Sequence, residues 1–287
     1  MTTATRPPID AAALIEAIGP GRRDRPWLFV SPHLDDGVLS AGGVLAAARR
    51  AGVDTVVATV FAGTATGPVT SPFATELVRL WGLGTDDPVG GRRAEDRAAL
   101  AEVGARPVHL PVPDAIFRTT AGTGEALYPT VEAVFAGAPR GDDPAIREVR
   151  RELAAVLAAL EPAVVVGPAG IGGHVDHVLV RDAVTALAGA DGPVLMLYED
   201  LPYAATGRTP AAGLTALPVS FTEADWDAKA AAAARYVSQL PAVWPEADGL
   251  AELRARAEAV GGDSTGPAEL LWCSEAAHAL VLGDPTV

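Results

Sequence analysis

Apolar residues along this chain fall into short unbroken runs separated by longer amphipathic stretches. Trp27–Ser31 (WLFVS) is apolar almost throughout and stops at Pro32, as a buried strand would. Gly37–Gly52 then offers Val38, Leu39, Leu45 and Ala46 as one apolar helical face. Val53–Phe61 (VDTVVATVF) is β-branched and continuous, which suits a parallel strand covered on both sides. Strand, helix and strand in close succession predict a βαβ unit.

The alternation continues toward the C-terminus. Ala62–Gly90 is rich in Gly, Thr and Pro and reads as a long loop with a helical piece near Glu76–Trp81. Arg92–Val103 is an alanine-rich helix ended by Gly104, and Arg106–Leu110 is a third strand. Pro111–Asp143 is irregular, and loops that long inside a compact domain usually serve function. Ile146–Leu160 is an amphipathic helix, Ala163–Gly167 a fourth strand and Pro168–Gly173 a glycine-rich loop. Asp176–Gly189 reads as a helix and Val194–Tyr198 as a fifth strand, with two further helices at about Glu223–Gln239 and Ala247–Val260. This order predicts an α/β, Rossmann-like fold: a doubly wound, mostly parallel sheet flanked by helices. With no internal repeat and no linker, residues 1–287 read as one domain, 1–25 forming a peripheral N-terminal segment.

Composition narrows the function. The net charge of −14 argues against a surface that coats nucleic acid, because phosphate binding needs a basic patch, and it disfavours anionic membranes. No stretch approaches the ~18 apolar residues of a membrane span. Cys273 is the only cysteine, which excludes an internal disulfide, a cysteine-based zinc ribbon and a CxxC pair; the compartment expected is the cytoplasm. Lys229 is the only lysine.

Ligands of doubly wound sheets bind beyond the carboxyl ends of the strands, so the residues after Ser31, Phe61, Leu110, Gly167 and Tyr198 are the ones to inspect. Two of these ends concentrate metal chemistry. Ser31-Pro32-His33-Leu34-Asp35-Asp36 follows the first strand, and Gly172-Gly173-His174-Val175-Asp176-His177 follows the fourth. Three of the five histidines lie in these windows. A catalytic zinc takes three N or O ligands and keeps one position open. His33 and Asp36 share one strand-to-helix turn, and a histidine from the other strand end can complete the set. Asp35 and Asp36 point in different directions, so one can bind metal while the other handles the proton of an activated water. His174 and His177, at i and i+3, share one side of a helical turn, and Asp176 between them can orient an imidazole.

This pair of motifs resembles the PIG-L (LmbE-like) family of metal-dependent deacetylases, which remove acetyl groups from N-acetylglucosamine-type sugars. The family's motifs usually read His-Pro-Asp-Asp-Glu and His-x-Asp-His; this chain has His33-Leu34-Asp35-Asp36-Gly37 and His174-Val175-Asp176-His177. Val60-Phe61-Ala62-Gly63, the helix with Arg92 and Glu95, Pro113-Asp114, Tyr198–Tyr203 and Tyr236–Leu240 also resemble family segments, so the likeness spans about Trp27 to Trp272. The resemblance implies Zn2+, or Fe2+ or another divalent metal, on His33, Asp36 and His177. It implies Asp35 as general base, His174 as stabiliser of the oxyanion and proton donor to the amine, Asp176 as support for His174, and Arg92 and Asp114 as sugar contacts. The implied partner is a small amino-sugar compound, with a homo-oligomer left open. Gly37 in place of the family Glu is expected to remove a carboxylate beside the pocket and so to bear on substrate identity.

Other readings fit less well. Gly262-Asp263-Ser264-Thr265-Gly266 matches a nucleophile elbow, which requires a strand before the serine and a helix after it; here a helix precedes it. Gly167–Gly173 lacks the Gly-Lys-Ser/Thr of a phosphate loop. His109 and His278 read as structural, Cys273 as a small buried hydrophobe, and Tyr128 as a candidate pocket residue. A metal-dependent amidase for a larger amide, such as a thiol-sugar conjugate, would use the same residues. A non-catalytic Rossmann-like binding module would show loss of a ligand or base, and none is lost.

Overall fold

The computed structural model of the protein describes residues 7–19, 24–65, 71–84, 87–189, 192–206, 210, 213–264 and 266–282. Its strands are β1 (Ile9–Asp10), β2 (Trp27–Ser31), β3 (Thr55–Thr59), β4 (Arg106–His109), β5 (Val164–Pro168), β6 (Val194–Tyr198), β7 (Thr215–Ser220) and β8 (Ala268–Cys273). They form one sheet in the order β1-β7-β8-β6-β5-β2-β3-β4. All pairings are parallel except those of β8 with β6 and β7. From β2 the chain winds outward through β3 to β4, and from β5 it winds the other way to β6. The order therefore reverses between β2 and β5, and the carboxyl ends of these two strands border the crevice where such sheets bind ligands.

The helices are α1 (Ala11–Ala17), α2 (Asp36–Arg50), α3 (Pro72–Trp81), α4 (Pro88–Glu102), α5 (Val131–Val134), α6 (Ala145–Leu160), α7 (Val175–Ala188), α8 (Glu223–Ala233), α9 (Leu240–Val243), α10 (Gly249–Gly261) and α11 (Glu275–Leu282). None among the described residues is long and apolar enough to cross a membrane. Two cores lie against the sheet. Trp27, Phe29, Val57, Val164 and Val166 pack with α1, α2, α8 and α10, whereas Leu28, Val30, Val56, Ala58 and Val165 pack with α6 and α7. Alternate residues of each strand thus enter opposite cores, which is why these strands are apolar without a break. A third cluster joins Leu34, Ala62, Val175 and Ala115–Phe117 to α3 and α5, with Ala242 of α9 against it.

The structure departs from the sequence expectations at both ends. β7 and β8 are additional strands: Pro218 interrupts the first, and the second carries the buried acid Glu269, so neither shows a plain strand pattern. The N-terminal segment, expected to be peripheral, supplies the edge strand β1 and buries Leu14 completely. The helix expected over Glu223–Gln239 stops at Ala233; a turn follows that buries Tyr236, whose hydroxyl donates to Asp96 Oδ1 (2.9 Å). Ser264 lies between α10 and β8, the reverse of the elbow order, and its hydroxyl donates to Gly266 O (2.9 Å); Thr265 lies outside the described residues.

One buried polar cluster ties the sheet to α2. The helix bends at Ala41 (φ −135°, ψ 18°), and beyond the bend the N–H groups of Gly43 and Val44 each donate to the Glu269 carboxylate at 2.9 Å. Lys229 of α8 donates to the same carboxylate at 2.7 Å and is only 1% exposed. Gly42 allows Lys229 to approach, because a Cβ there would lie 2.9 Å from Lys229 Cγ, and Gly43 makes room for the Phe221 ring, 2.2 Å from a would-be Cβ.

Candidate active site

The turn after β2 is held by Ser31. Its hydroxyl donates to His33 O (2.5 Å) and accepts from the Gly37 N–H (2.9 Å). A Cβ at Gly37 would sit 3.3 Å from Ser31 Cβ and 3.7 Å from Val57 Cγ1. A side chain at this position would start in close contact with Ser31. After β5 the chain turns through Gly170, Gly172 and Gly173, at φ +73°, +91° and +80°. At Gly172 a Cβ would also meet Tyr203 Cβ at 2.5 Å, so only glycine fits. His174 then caps α7, its Nδ1 accepting the Asp176 backbone N–H at 3.2 Å.

These two turns bring His33, Asp36 and His177 together, with one ligand atom of each within 4.8 Å of the others. Asp36 Oδ2 faces His33 Nδ1 at 3.0 Å and His177 Nε2 at 3.3 Å. The outer nitrogen of each imidazole meets a second carboxylate: His33 Nε2 lies 3.1 Å from Asp176 Oδ2, and His177 Nδ1 lies 2.7 Å from Asp200 Oδ1. Asp176 also accepts from Arg118 (2.6 Å) and the Ala115 N–H (2.9 Å), and Asp200 accepts from the Ile171 N–H (2.8 Å). Both carboxylates therefore act as acceptors, and each draws the imidazole proton outward. In their neutral form His33 and His177 would turn lone pairs toward Asp36, and buried His177 Nε2 has no hydrogen-bond partner. Two lone pairs facing a carboxylate oxygen form a donor set for a divalent cation, and these residues fit one. A second grouping, His33, His174 and Asp176, lies within the same span, but Arg118 and Ala115 already occupy the Asp176 oxygens.

Electrostatics agree. Burial opposes a charge on His177, yet Asp36 and Asp200 outweigh it and push its pKa up to about 9. His33 is likewise raised, burial being overcome by Asp114, Asp176 and Asp36. These carboxylates favour positive charge at this spot, which a bound cation would supply. Burial and the charge of Asp36 push Asp35 up to about 6, against the pull of Arg92. His174 is held well below the ordinary range by burial and by His33 and His177. With Nδ1 accepting from the backbone, its proton rests on Nε2. The Asp176 carboxylate, expected to support His174, hydrogen-bonds to His33, while the Asp176 backbone N–H meets His174 Nδ1 and the carboxylate acts on His174 through its charge.

A pocket of about 290 Å³ opens over this cluster and is lined by His33, Asp35, Asp36, Arg92, Asp114 and His174 together with apolar side chains of α3, α5 and α9. The Arg92 guanidinium lies 4.6 Å from the Trp81 ring centroid, 3.7 Å from Asp35 and 3.9 Å from Asp114, and its Nε has no partner. All eight residues singled out in the sequence thus lie in or beneath one crevice. Tyr128 does not line it, since its hydroxyl donates to Asp143 (2.8 Å). His109 pairs with Asp96 (2.7 Å) and Cys273 is buried, both in structural roles. Sequence reasoning noted Asp200, after the fifth strand, only as a residue that could shape the sugar site or pack, without its contact to His177, and missed Arg118. The position of Asp200 just beyond β6 was a usable signal; Arg118, in an irregular segment, gave none.

Comparison with known proteins agrees with this geometry. A 2'-N-acetylparomamine deacetylase of Streptomyces fradiae is 36% identical over 194 residues, covering 64% of this chain and 59% of the relative. A 1D-myo-inositol 2-acetamido-2-deoxy-alpha-D-glucopyranoside deacetylase of Actinosynnema mirum is 31% identical over 175 residues, covering 60% and 58%. The chain thus matches just under three fifths of the length of each. The crystal structure of the zinc-inhibited form of teicoplanin deacetylase Orf2 superposes with a TM-score of 0.76 at 32% identity, covering 86% of this chain and 97% of that one. The model of the family described as PIG-L, GlcNAc-PI de-N-acetylase, matches residues 28–188, more than half of the chain, and the protein belongs to that family.

Proposed function

We propose that this protein is a metal-dependent amide hydrolase that removes the acetyl group from an N-acetylglucosamine-type amino sugar, with zinc on His33, Asp36 and His177. The observation that carries this reading is the pair of imidazoles whose outer nitrogens meet the carboxylates of Asp176 and Asp200 while their inner nitrogens converge on Asp36. A divalent ion held by His33, Asp36 and His177 would polarise the acetyl carbonyl and acidify the attacking water. Asp35 takes the water's proton, being raised to about 6 and therefore ionised yet basic at neutral pH. The Nε2–H of His174 donates to the acetyl oxygen as it gains charge. As the C–N bond breaks, the proton that Asp35 took from the water passes to the nitrogen, His174 keeps its Nε2–H on the oxygen, and acetate and a free amine depart. Arg92 and Asp114, which line the pocket, meet the sugar. The sugar deacetylases among the relatives support this substrate class, and the single cysteine suits a reducing cytoplasm.

The test is metal content by plasma mass spectrometry together with acetate release from a panel of N-acetylated amino sugars. About one divalent ion per chain is expected, with release abolished by a chelator and restored by zinc. A metal-loaded protein that releases acetate from none of them would overturn the reading. Asp200→Asn is expected to weaken metal affinity by about 10- to 100-fold, because the proton of His177 is no longer drawn to Nδ1. Competition against a chromophoric chelator measures this, and an unchanged affinity would remove Asp200 from the site.

A further inference from the structure

The wall of the pocket beside Arg92 is built by a relay that ends on Gln239. Glu95 lies one helical turn beyond Arg92 on α4, and its carboxylate accepts from the Ser238 backbone N–H (2.9 Å) and hydroxyl (2.6 Å). A carboxylate only accepts, so the Ser238 hydroxyl proton is committed to Glu95 and Oγ is left as an acceptor. Gln239 Nε2 donates to that oxygen at 2.7 Å. The orientation of the carboxamide follows: its NH2 group faces Ser238 and its carbonyl oxygen is presented elsewhere. Gln239 is 4% exposed and lines the same pocket as Asp35, Arg92 and His174. Among the described residues no donor reaches its Oε1, and the atom is not sealed from the pocket.

We infer that Gln239 is a specificity-determining residue whose carboxamide oxygen accepts a hydrogen bond from a ring hydroxyl of the bound amino sugar. Arg92 can only donate, so the wall offers a donor and an acceptor, and a hydroxyl-bearing ring can answer both. Ser238 and Glu95 are positioning residues that act through Gln239. The inference rests on the amino-sugar reading but not on turnover.

The experiment measures binding of N-acetylglucosamine and its 3-, 4- and 6-deoxy analogues to metal-loaded wild type and Gln239→Leu. It is paired with KM and kcat on the best substrate of the panel above. Gln239→Leu is expected to weaken sugar binding and raise KM by about 5- to 10-fold, with kcat within about twofold and metal content unchanged. Ser238→Ala is expected to raise KM about twofold to threefold, and Ser238→Thr to restore it. One deoxy sugar, already bound weakly by wild type, is expected to lose nothing further in Gln239→Leu. Equal losses for every analogue, an unchanged KM, or a wild type that binds none of these sugars would each overturn the inference. Intact coupling without acetate release would support the role of Gln239 while removing the deacetylase reading.

Discussion

Asp35→Asn is expected to keep about one metal ion per chain and to lose about 10²- to 10⁴-fold in kcat. Asparagine preserves the shape of the side chain and removes the only property the reaction asks of it, the capacity to take a proton. Asp35 makes no contact within the donor set: its oxygen faces Arg92 at 3.7 Å, whereas Asp36 faces the two imidazoles. The contrasting variant is His177→Ala, which removes one of the two nitrogens directed at Asp36 and is expected to lose the ion itself. Metal analysis and acetate release on both variants separate the roles. Full turnover in Asp35→Asn would remove Asp35 as the base, and a full metal complement in His177→Ala would move the metal elsewhere.

Glu269→Ala is expected to cost about 3–5 kcal/mol of folding stability, read as a shift of the urea unfolding midpoint. The substitution strands a buried ammonium on Lys229 and leaves the N–H groups of Gly43 and Val44 without acceptors at the bend of α2. The double variant Lys229→Met/Glu269→Gln is expected to recover much of that loss, because the amide oxygen still accepts from the helix and no charge remains. A Glu269→Ala protein as stable as the wild type would show that the cluster contributes nothing to the fold.

The sequence was most legible where one residue type had one physical use. Trp27–Ser31 and Val194–Tyr198 are strands with the bounds expected, because strands covered on both faces tolerate only apolar side chains. The two histidine motifs stand at strand ends, so strand order alone brings them together across the β2–β5 crevice. Less could be read where a contact is made through space. β8 carries a charge that only Lys229 and the bend in α2 make tolerable. Asp176 looked like the partner of its neighbour His174, yet its carboxylate reaches back 143 residues along the chain to His33. At Gly37 the close approach of Ser31 to a would-be Cβ is a contact that no sequence pattern displays.

The burial of Lys229 also governs how the molecule can be labelled. It is the only lysine in 287 residues, and it lies 1% exposed beneath the bend of α2. Apart from the chain's terminal amine, the folded surface offers no group to an amine-directed reagent. Acylation at Lys229 requires the contact between α8 and β8 to open, so the appearance of a second label on the intact mass is a clock for that one event.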